Sequence, residues 1–204
     1  MNHSKGLKAV HFVEPIRDPK RIKHIKHLLK GQGRFRDLLL FVVGINTALR
    51  ISDLLALRIG DFVDENGAVR RQFALRERKR GKRHEVVIND SIREALAEYR
   101  AAYPEVEDDP QHVVFFNTRT HDYARPISRV QAWKFIVAIC QDAGLTGNYG
   151  THSLRKTWGY HARKSGVDLT LIMDQLNHNS LAYTKRYLGI TDDELGEVVR
   201  KLNL

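Results

Sequence analysis

Apolar residues recur at helical spacing along most of the chain. Over residues 19–31 the isoleucines and leucines lie three or four positions apart, which predicts an amphipathic helix with Asp18 as its N-cap and Pro19 in its first turn. Residues 35–48 are mostly apolar, so we expect a second helix near the centre of the core. The folded part of the chain is therefore expected to begin with two helices.

The same spacing predicts further helices along the chain. One covers residues 90–103 and is capped by Asp90 or Ser91. Another begins at Ser128 and is closed by Gly144, a residue suited to the left-handed backbone that ends many helices. Helices are also expected over the rest of the chain, so most residues should be helical.

The segment between Ala68 and Asn89 has the character of strands instead. Two β-prone runs, AVRRQFALRERK and RHEVVIN, meet at the basic sequence KRGK, which is typical of a short hairpin turn. We expect this hairpin to belong to a small sheet. The predicted fold class is α+β: a mostly α-helical domain with a small antiparallel β-sheet of about three strands on one side.

The two ends of the chain differ from this pattern. Residues 1–18 lack sustained periodicity and contain an early proline, so we expect a flexible lead-in, or a strap, before a single domain over residues 19–204. The last segment opens with the capping pattern of Thr191 and Glu194, which predicts a helix at about residues 191–202. Its apolar stripe consists of Leu195, Val198, Val199 and Leu202.

Net charge narrows the class of partner. The 204 residues include 34 Lys and Arg against 24 Asp and Glu, which gives a formal charge of +10 and a pI near 9.8. This balance favours a polyanion such as nucleic acid or an acidic membrane surface, although a generic basic surface has the same charge. The single cysteine, Cys140, excludes an intramolecular disulfide, and no run approaches the roughly 18 apolar residues of a membrane span. We expect a cytoplasmic protein.

Cationic side chains are concentrated in THSLRKT, residues 151–157. His152 and Arg155 are three positions apart, so on a helix they share a face and can converge on one small anion. A helix N-terminus adds free N–H groups and partial positive charge, which suits a phosphate oxygen. The alternative for this segment alone is an ordinary basic helix start on the surface.

Two other segments hold candidate chemistry. Arg50 is embedded among leucines and isoleucines, where it needs a buried partner or a ligand, because an unpaired desolvated charge is costly. Asp53 is the candidate carboxylate that orients Arg50, or else the two form an internal ion pair without further function. Near the end, His178 lies in a turn-like stretch before Tyr183 and Tyr187, and either tyrosine is also suited to a core.

Four segments together resemble the catalytic domain of the tyrosine recombinases, the lambda-integrase-like family of site-specific DNA recombinases. TALRISDLLALRIGDF resembles the first arginine box of that family, and HSLRKT resembles its His-x-x-Arg box. LNHNSLAYTKRYL resembles the closing box, in which a histidine precedes the nucleophilic tyrosine by nine positions, as His178 precedes Tyr187. RKRGKRHEVVI resembles the hairpin that bears a catalytic lysine, with Lys79 as the best match and Lys82 as the alternative. Each box alone is a weak pattern, but four in this order are specific.

The resemblance implies a DNA strand transferase that needs neither a metal nor a cofactor. It makes Tyr187 the nucleophile, which leaves Tyr183 to pack. Separately, His24 and His27 are three positions apart without a ligand cluster of familiar spacing, so we expect them on a helix surface rather than at a metal. The expected catalytic residues are Arg50, Lys79, His152, Arg155, His178 and Tyr187, with Asp53 in support. The residues expected to contact DNA are Arg78, Lys82, Arg83 and Lys156.

The expected partners follow from the same resemblance. They are double-stranded DNA, further copies of the chain in a tetramer on DNA, and accessory DNA-bending proteins. The helix at residues 191–202 either docks on a neighbouring protomer or packs on its own. Two features depart from the family. Asn177 stands where glycine is common before the late histidine, and the roughly 30 residues ahead of the helix that leads into the first box are too few for the usual DNA-clasping domain. Recombinases of the fimbrial phase-variation type share this short form.

Two other functions fit the same residues. One is a non-catalytic DNA-binding module of the same fold, which would bind through phosphate contacts. The other is a strand-passing enzyme of the type IB topoisomerase kind, which uses the same tyrosine chemistry without a specific site.

Overall fold

Nine α-helices and four short strands make up the part of the chain that the structure describes. This computed structural model describes residues 13–79, 81–190 and 200. The helices are α1 (Pro19–Gly31), α2 (Phe35–Thr47), α3 (Ile51–Leu54), α4 (Ile59–Phe62), α5 (Asp90–Ala102), α6 (Arg129–Asp142), α7 (Thr151–Lys164), α8 (Leu169–Gln175) and α9 (Leu181–Leu188). The strands are β1 (Gln72–Arg76), β2 (Arg83–Val87), β3 (Phe116–Asn117) and β4 (Asp122–Pro126). The expected α+β class with mostly helical content is confirmed.

The α2 helix is the centre of the core. Nine of its 13 residues are buried, and it packs against α1, α5 and α7. A methyl group at Gly44 would lie only 2.5 Å from the Leu154 side chain, so glycine permits the close approach of α2 and α7. This close contact brings the start of α7, with its cationic residues, against the end of α2.

The caps of the helices follow the sequence closely, with one correction. Asp18 caps α1 by accepting a hydrogen bond from the Lys20 amide at 2.8 Å, and Ser128 caps α6 in the expected way. For α5, however, the cap is neither Asp90 nor Ser91. Asn89 has the extended backbone of an N-cap, and its side chain accepts from the Ile92 amide, so the helix begins one residue after Asn89.

The strands form two antiparallel pairs. β1 pairs with β2, with Phe73 opposite Val86, and both of these side chains are buried against the helices. β3 pairs with β4 in a separate short hairpin. The expectation of about three strands in one sheet is therefore wrong in detail: among the described residues there are two two-stranded sheets, because the apolar run before β3 enters the core instead of extending the first hairpin.

Residues 13–18 form a strap across α7. Ile16 is fully buried, its amide donates to the Thr157 hydroxyl at 2.8 Å, and its carbonyl lies 3.0 Å from His161 Nε2. Of the two alternatives expected for residues 1–18, a flexible lead-in or a strap, the strap describes residues 13–18. Residues 1–12 lie outside the described residues, as does the predicted helix at residues 191–202 except for Arg200.

None of the helices in the described ranges is long and apolar enough to cross a membrane.

Replacing Ile16 by alanine tests the strap. We expect the free energy of unfolding to fall by about 2–4 kcal/mol, because a fully buried isoleucine would leave a cavity against α7. Val130→Ala is the control, since Val130 is 60% exposed and its loss should change stability by no more than about 0.5 kcal/mol. Equal effects in chemical denaturation would show that the strap does not pack in solution.

Candidate active site

The ends of α2 and α9 and the starts of α3 and α7 meet on one side of the domain. Arg155 of α7 lies at the centre of this meeting point. Its charge acts on Tyr187 of α9 and on His152 of α7, and Arg50, at the start of α3, acts on both as well. The structure thus brings together predicted residues that are separated by more than 130 positions in the chain.

Arg155 is anchored by backbone carbonyls. Its side chain is buried, and its guanidinium donates to the carbonyls of Ala48 and Leu176. Burial lowers the pKa of Arg155, while the nearby Tyr187 and Glu77 act in the opposite direction. An arginine nevertheless remains charged in a protein, so the site contains a fixed buried cation.

Arg50 is held by a carboxylate that the sequence analysis did not identify. Its guanidinium lies 2.5 Å from Glu77 Oε2, and the Glu77 side chain is fully buried. The predicted pairing of Arg50 with Asp53 is corrected, because Asp53 Oδ1 instead accepts from the backbone amide of Arg78 at 2.9 Å. Asp53 therefore ties the hairpin to α3, and Glu77 provides the counter-charge for Arg50.

The environment of Glu77 favours its ionised form. Burial alone would raise the pKa of this carboxyl, but hydrogen bonds from Asn177 and Arg50, with the charges of Arg50 and Arg155, outweigh burial and lower the pKa. One signal in the sequence marks the residue: Glu77 continues the alternation of inward positions on β1 after Phe73 and Leu75. An acidic side chain that points inward from a basic hairpin requires a positively charged partner in the interior of the domain.

The turn of the hairpin carries the predicted lysine. Lys79 is exposed, and the turn is closed by a hydrogen bond of 2.7 Å from the Gly81 amide to the Glu77 carbonyl. The charge of Lys79 is among those that act on His152, so the turn lies near the group formed by Arg50, His152 and Arg155, which we call the cleft. Three residues expected to contact DNA are also exposed on this hairpin: Arg78, Lys82 and Arg83.

Lys156 is placed differently from the prediction. It is buried, and its ammonium nitrogen lies 5.1 Å from the centroid of the Tyr187 ring, a cation–π distance. Burial is the main cause that lowers the pKa of Lys156, and the positive charge of Arg17 in the strap lowers it further. The expected contact of Lys156 with DNA stays a prediction, and in this structure the side chain is buried between the strap and α9.

His178 is fixed by the turn between α8 and α9. Asn177 has the left-handed backbone, with φ of +50°, that the glycine of the family would adopt, so the turn survives the substitution. His178 Nδ1 lies 3.1 Å from the hydroxyl of Thr184, a fully buried residue of α9. Thr184 was not predicted, and it orients the imidazole ring.

Tyr187 is packed against His178, with ring centroids 4.8 Å apart. Its hydroxyl is buried beside the Arg155 guanidinium. Burial raises the pKa of Tyr187 to about 12, although the charges of Arg155 and Arg50 oppose this shift. Tyr183 was expected to pack in the interior, but it is 47% exposed and touches His178 only from outside. At neutral pH the phenol of Tyr187 is protonated, so it needs a proton acceptor to act as a nucleophile.

His152 has the properties of such an acceptor. It lies at the open side of the cleft, where desolvation by the surrounding protein lowers its pKa, and the positive charges of Arg155, Arg50, Lys156 and Lys79 lower it further. A neutral imidazole at pH 7 can take a proton. The cleft thus combines fixed cations for a phosphate, a buried phenol and a neutral base.

Within residues 13–79, 81–190 and 200, no three His, Cys, Asp or Glu side chains are grouped closely enough to hold a metal ion.

Solved structures with the same fold define the class of protein. The crystal structure of XerA recombinase matches 94% of this chain and 66% of its own, with a TM-score of 0.71 and 22% identity. XerH site-specific recombinase bound to its difH substrate after cleavage matches 95% of this chain and 53% of its own, with a TM-score of 0.73 and 20% identity. The fold is that of the tyrosine recombinase catalytic domain.

The sequence identifies the family itself. The chain belongs to the phage integrase family, whose model matches residues 18–194. The probable integrase/recombinase YoeC of Bacillus subtilis is 35% identical over 90% of this chain and 93% of its own. Tyrosine recombinase XerD of Corynebacterium glutamicum is 31% identical over 81% of this chain, which spans only 52% of that relative.

The titration of His152 tests the electrostatics of the cleft. In the DNA-free protein we expect the ring to lose its proton with a midpoint below the 6.5 of an unperturbed imidazole. Lys79→Gln should raise the midpoint by removing one positive charge, while Lys20→Gln, on the exposed start of α1, should not. Proton NMR of the ring measures both, and a wild-type midpoint at or above 6.5 would contradict this description.

Proposed function

We propose that this chain is a site-specific recombinase that cuts and rejoins double-stranded DNA through a 3′-phosphotyrosyl intermediate. The observation that carries this proposal is the burial of the Tyr187 hydroxyl beside the Arg155 guanidinium, with Arg50 acting on both. A phenol beside one guanidinium and within the field of a second is suited to attack a phosphodiester bound by both arginines. Family membership supports the same reaction.

The arginines bind the scissile phosphate in this proposal. Attack on a phosphodiester spreads charge over the non-bridging oxygens, and guanidinium groups stabilise that charge with paired N–H donors. The guanidinium of Arg155 is held in place by two backbone carbonyls, and Arg50 provides a second guanidinium with paired N–H donors. His178 supplies a third donor from the turn that Thr184 orients.

Proton transfers complete the reaction. The Tyr187 oxygen forms a bond to phosphorus as its proton passes to His152, and the bond from phosphorus to the 5′-oxygen breaks. Lys79 gives a proton to this leaving oxygen, so that a 5′-hydroxyl is released. Rejoining is the reverse: a 5′-hydroxyl attacks the phosphotyrosyl bond and Tyr187 leaves. No step requires a metal, because the arginines supply the positive charge.

The assembly around this site is also part of the proposal. The exposed cations Arg78, Lys82 and Arg83 are suited to the phosphate backbone beside the cleft, where each contact would add salt dependence to DNA binding. The catalytic domain spans residues 19–204, and four copies act together on DNA in the cytoplasm. Residues 191–202 would link neighbouring copies, and DNA-bending proteins would assist assembly.

Trapping the covalent intermediate tests the proposal. Wild-type protein is incubated with a library of DNA duplexes that have a randomised centre. Each duplex carries a nick, so that cleavage beside the nick releases a short fragment and its loss prevents rejoining. We expect an SDS-resistant protein–DNA adduct in the presence of EDTA. Mass spectrometry should show that the DNA is attached to Tyr187. Tyr187→Phe should lower the adduct below detection, because the nucleophilic oxygen is gone.

Tyr183→Phe is the matched control, since Tyr183 lies on the same helix and touches the same histidine but is exposed. It should form the adduct at close to the wild-type rate. An adduct that needs added metal would overturn metal independence. Tight DNA binding without any adduct would favour the non-catalytic module, and relaxation of supercoiled DNA lacking any selected site would favour the topoisomerase.

A further inference from the structure

Glu77 is a fully buried carboxylate in the site that has no role in the proton transfers above. We propose that Glu77 is a positioning residue, which holds the guanidinium of Arg50 in the orientation that binds the scissile phosphate. This inference rests on the proposed function. It concerns a side chain on the core side of Arg50, away from the DNA.

The contact with Arg50 is the first argument. A buried carboxylate without a cation is strongly unfavourable, and Glu77 Oε2 lies 2.5 Å from Arg50 Nη1. A guanidinium has five N–H donors arranged in a plane, so one edge can bind a carboxylate while another binds a phosphate. With 14% of its side chain exposed, Arg50 remains accessible from the cleft. The carboxylate thus fixes the plane without using all the donors.

The other neighbours of Glu77 make it a junction of several elements. Asn177, in the turn before His178, hydrogen-bonds to the carboxylate, and Arg155 of α7 adds its charge. His84 of β2 lies 3.8 Å from Glu77 Oε1. Burial lowers the pKa of His84, so the neutral imidazole leaves the arginines as the counter-charges. Glu77 therefore connects the hairpin, Arg50, α7 and the closing turn.

The backbone of Glu77 also holds the turn that carries Lys79. Its carbonyl accepts from the Gly81 amide at 2.7 Å, and its amide donates to the Lys82 carbonyl at 2.9 Å. One residue thus fixes the base of the lysine turn through its backbone and Arg50 through its side chain. The leaving-oxygen acid and the phosphate-binding arginine are consequently held in a fixed relation.

A different role for Glu77 would give the opposite result. A carboxylate beside Arg50 and Arg155 also resembles a stand-in for the phosphate, which DNA would displace. In that case, removal of its charge would strengthen DNA binding or speed cleavage. A positioning role instead requires that cleavage slows while DNA binding stays nearly constant, because the cations remain present but are less well aligned.

Glu77→Gln is the central experiment, since it removes the charge and keeps the size of the side chain. Adduct formation is measured in a single turnover at saturating nicked duplex, and the dissociation constant is measured with the intact duplex. We expect the rate to fall by roughly 10- to 100-fold, with the dissociation constant within about threefold of wild type. Unchanged rates, or tighter binding with faster cleavage, would overturn the proposal.

Glu85→Gln is the matched control, because Glu85 lies on the same hairpin, is exposed and pairs with Arg83 on the surface. At saturating DNA its rate should equal that of the wild type. Thermal unfolding checks that Glu77→Gln is folded. If it is not, Glu77→Asp keeps the charge but shortens the reach, and it should show a smaller loss of rate.

A modified phosphate in the DNA distinguishes a positioning role of Glu77 from a purely structural one. A methylphosphonate at the cleaved position removes the charged oxygen that Arg50 would bind, so the difference between wild type and Glu77→Gln should shrink at least about fivefold. In an Arg50→Ala background, Glu77→Gln should slow cleavage by less than about threefold further, since both act through one group. Fully additive effects would overturn the inference. A wild type that forms no adduct would instead reject the proposed function itself.

Discussion

The arrangement of the site depends on how one buried positive charge is satisfied. Arg155 donates to the carbonyls of Ala48 and Leu176, which follow the last residues of α2 and α8. Helix C-termini have carbonyls without partners in the helix and a partial negative charge, so a guanidinium between two such ends is stabilised without a carboxylate. The charge of Arg155 therefore also acts on the neighbouring Glu77 and Tyr187.

The charge of the second arginine, Arg50, is balanced by a carboxylate instead of by backbone carbonyls. This difference determines where negative and positive charge lie in the cleft. Arg50 is paired with Glu77 on the core side, and Asp53 holds the neighbouring hairpin by its backbone. The carboxylate of Glu77 is thus fully buried, whereas Lys79 and His152 are exposed. The positive charges of Arg155 and Arg50 lower the pKa of His152, which favours its neutral form. The same cations therefore determine the charge of the site and the protonation of its histidine.

Local signals in the sequence predicted most of the helices, the first hairpin and the class of the fold. The bounds of α1 and the caps Asp18 and Ser128 agree, because spacing and capping depend only on nearby residues. Long-range packing was not predictable in this way. Lys156 follows Arg155 directly on α7, yet its burial depends on a strap that lies more than 130 positions earlier in the chain. The role of Thr184 also depends on a fold-level contact, between α9 and the turn that holds His178.

Asn177 affects both the backbone of the turn before His178 and the ionisation of Glu77. Its left-handed φ of +50° costs an ordinary residue free energy that glycine avoids, roughly 1 kcal/mol for a residue with a side chain. Asparagine tolerates this conformation better than most residues, and here its side chain hydrogen-bonds to Glu77. A buried carboxylate that accepts hydrogen bonds from both an amide and a guanidinium is stabilised in its charged form. Asn177 and Glu77 therefore stabilise each other, and the turn that presents His178 is tied to the hairpin that presents Lys79.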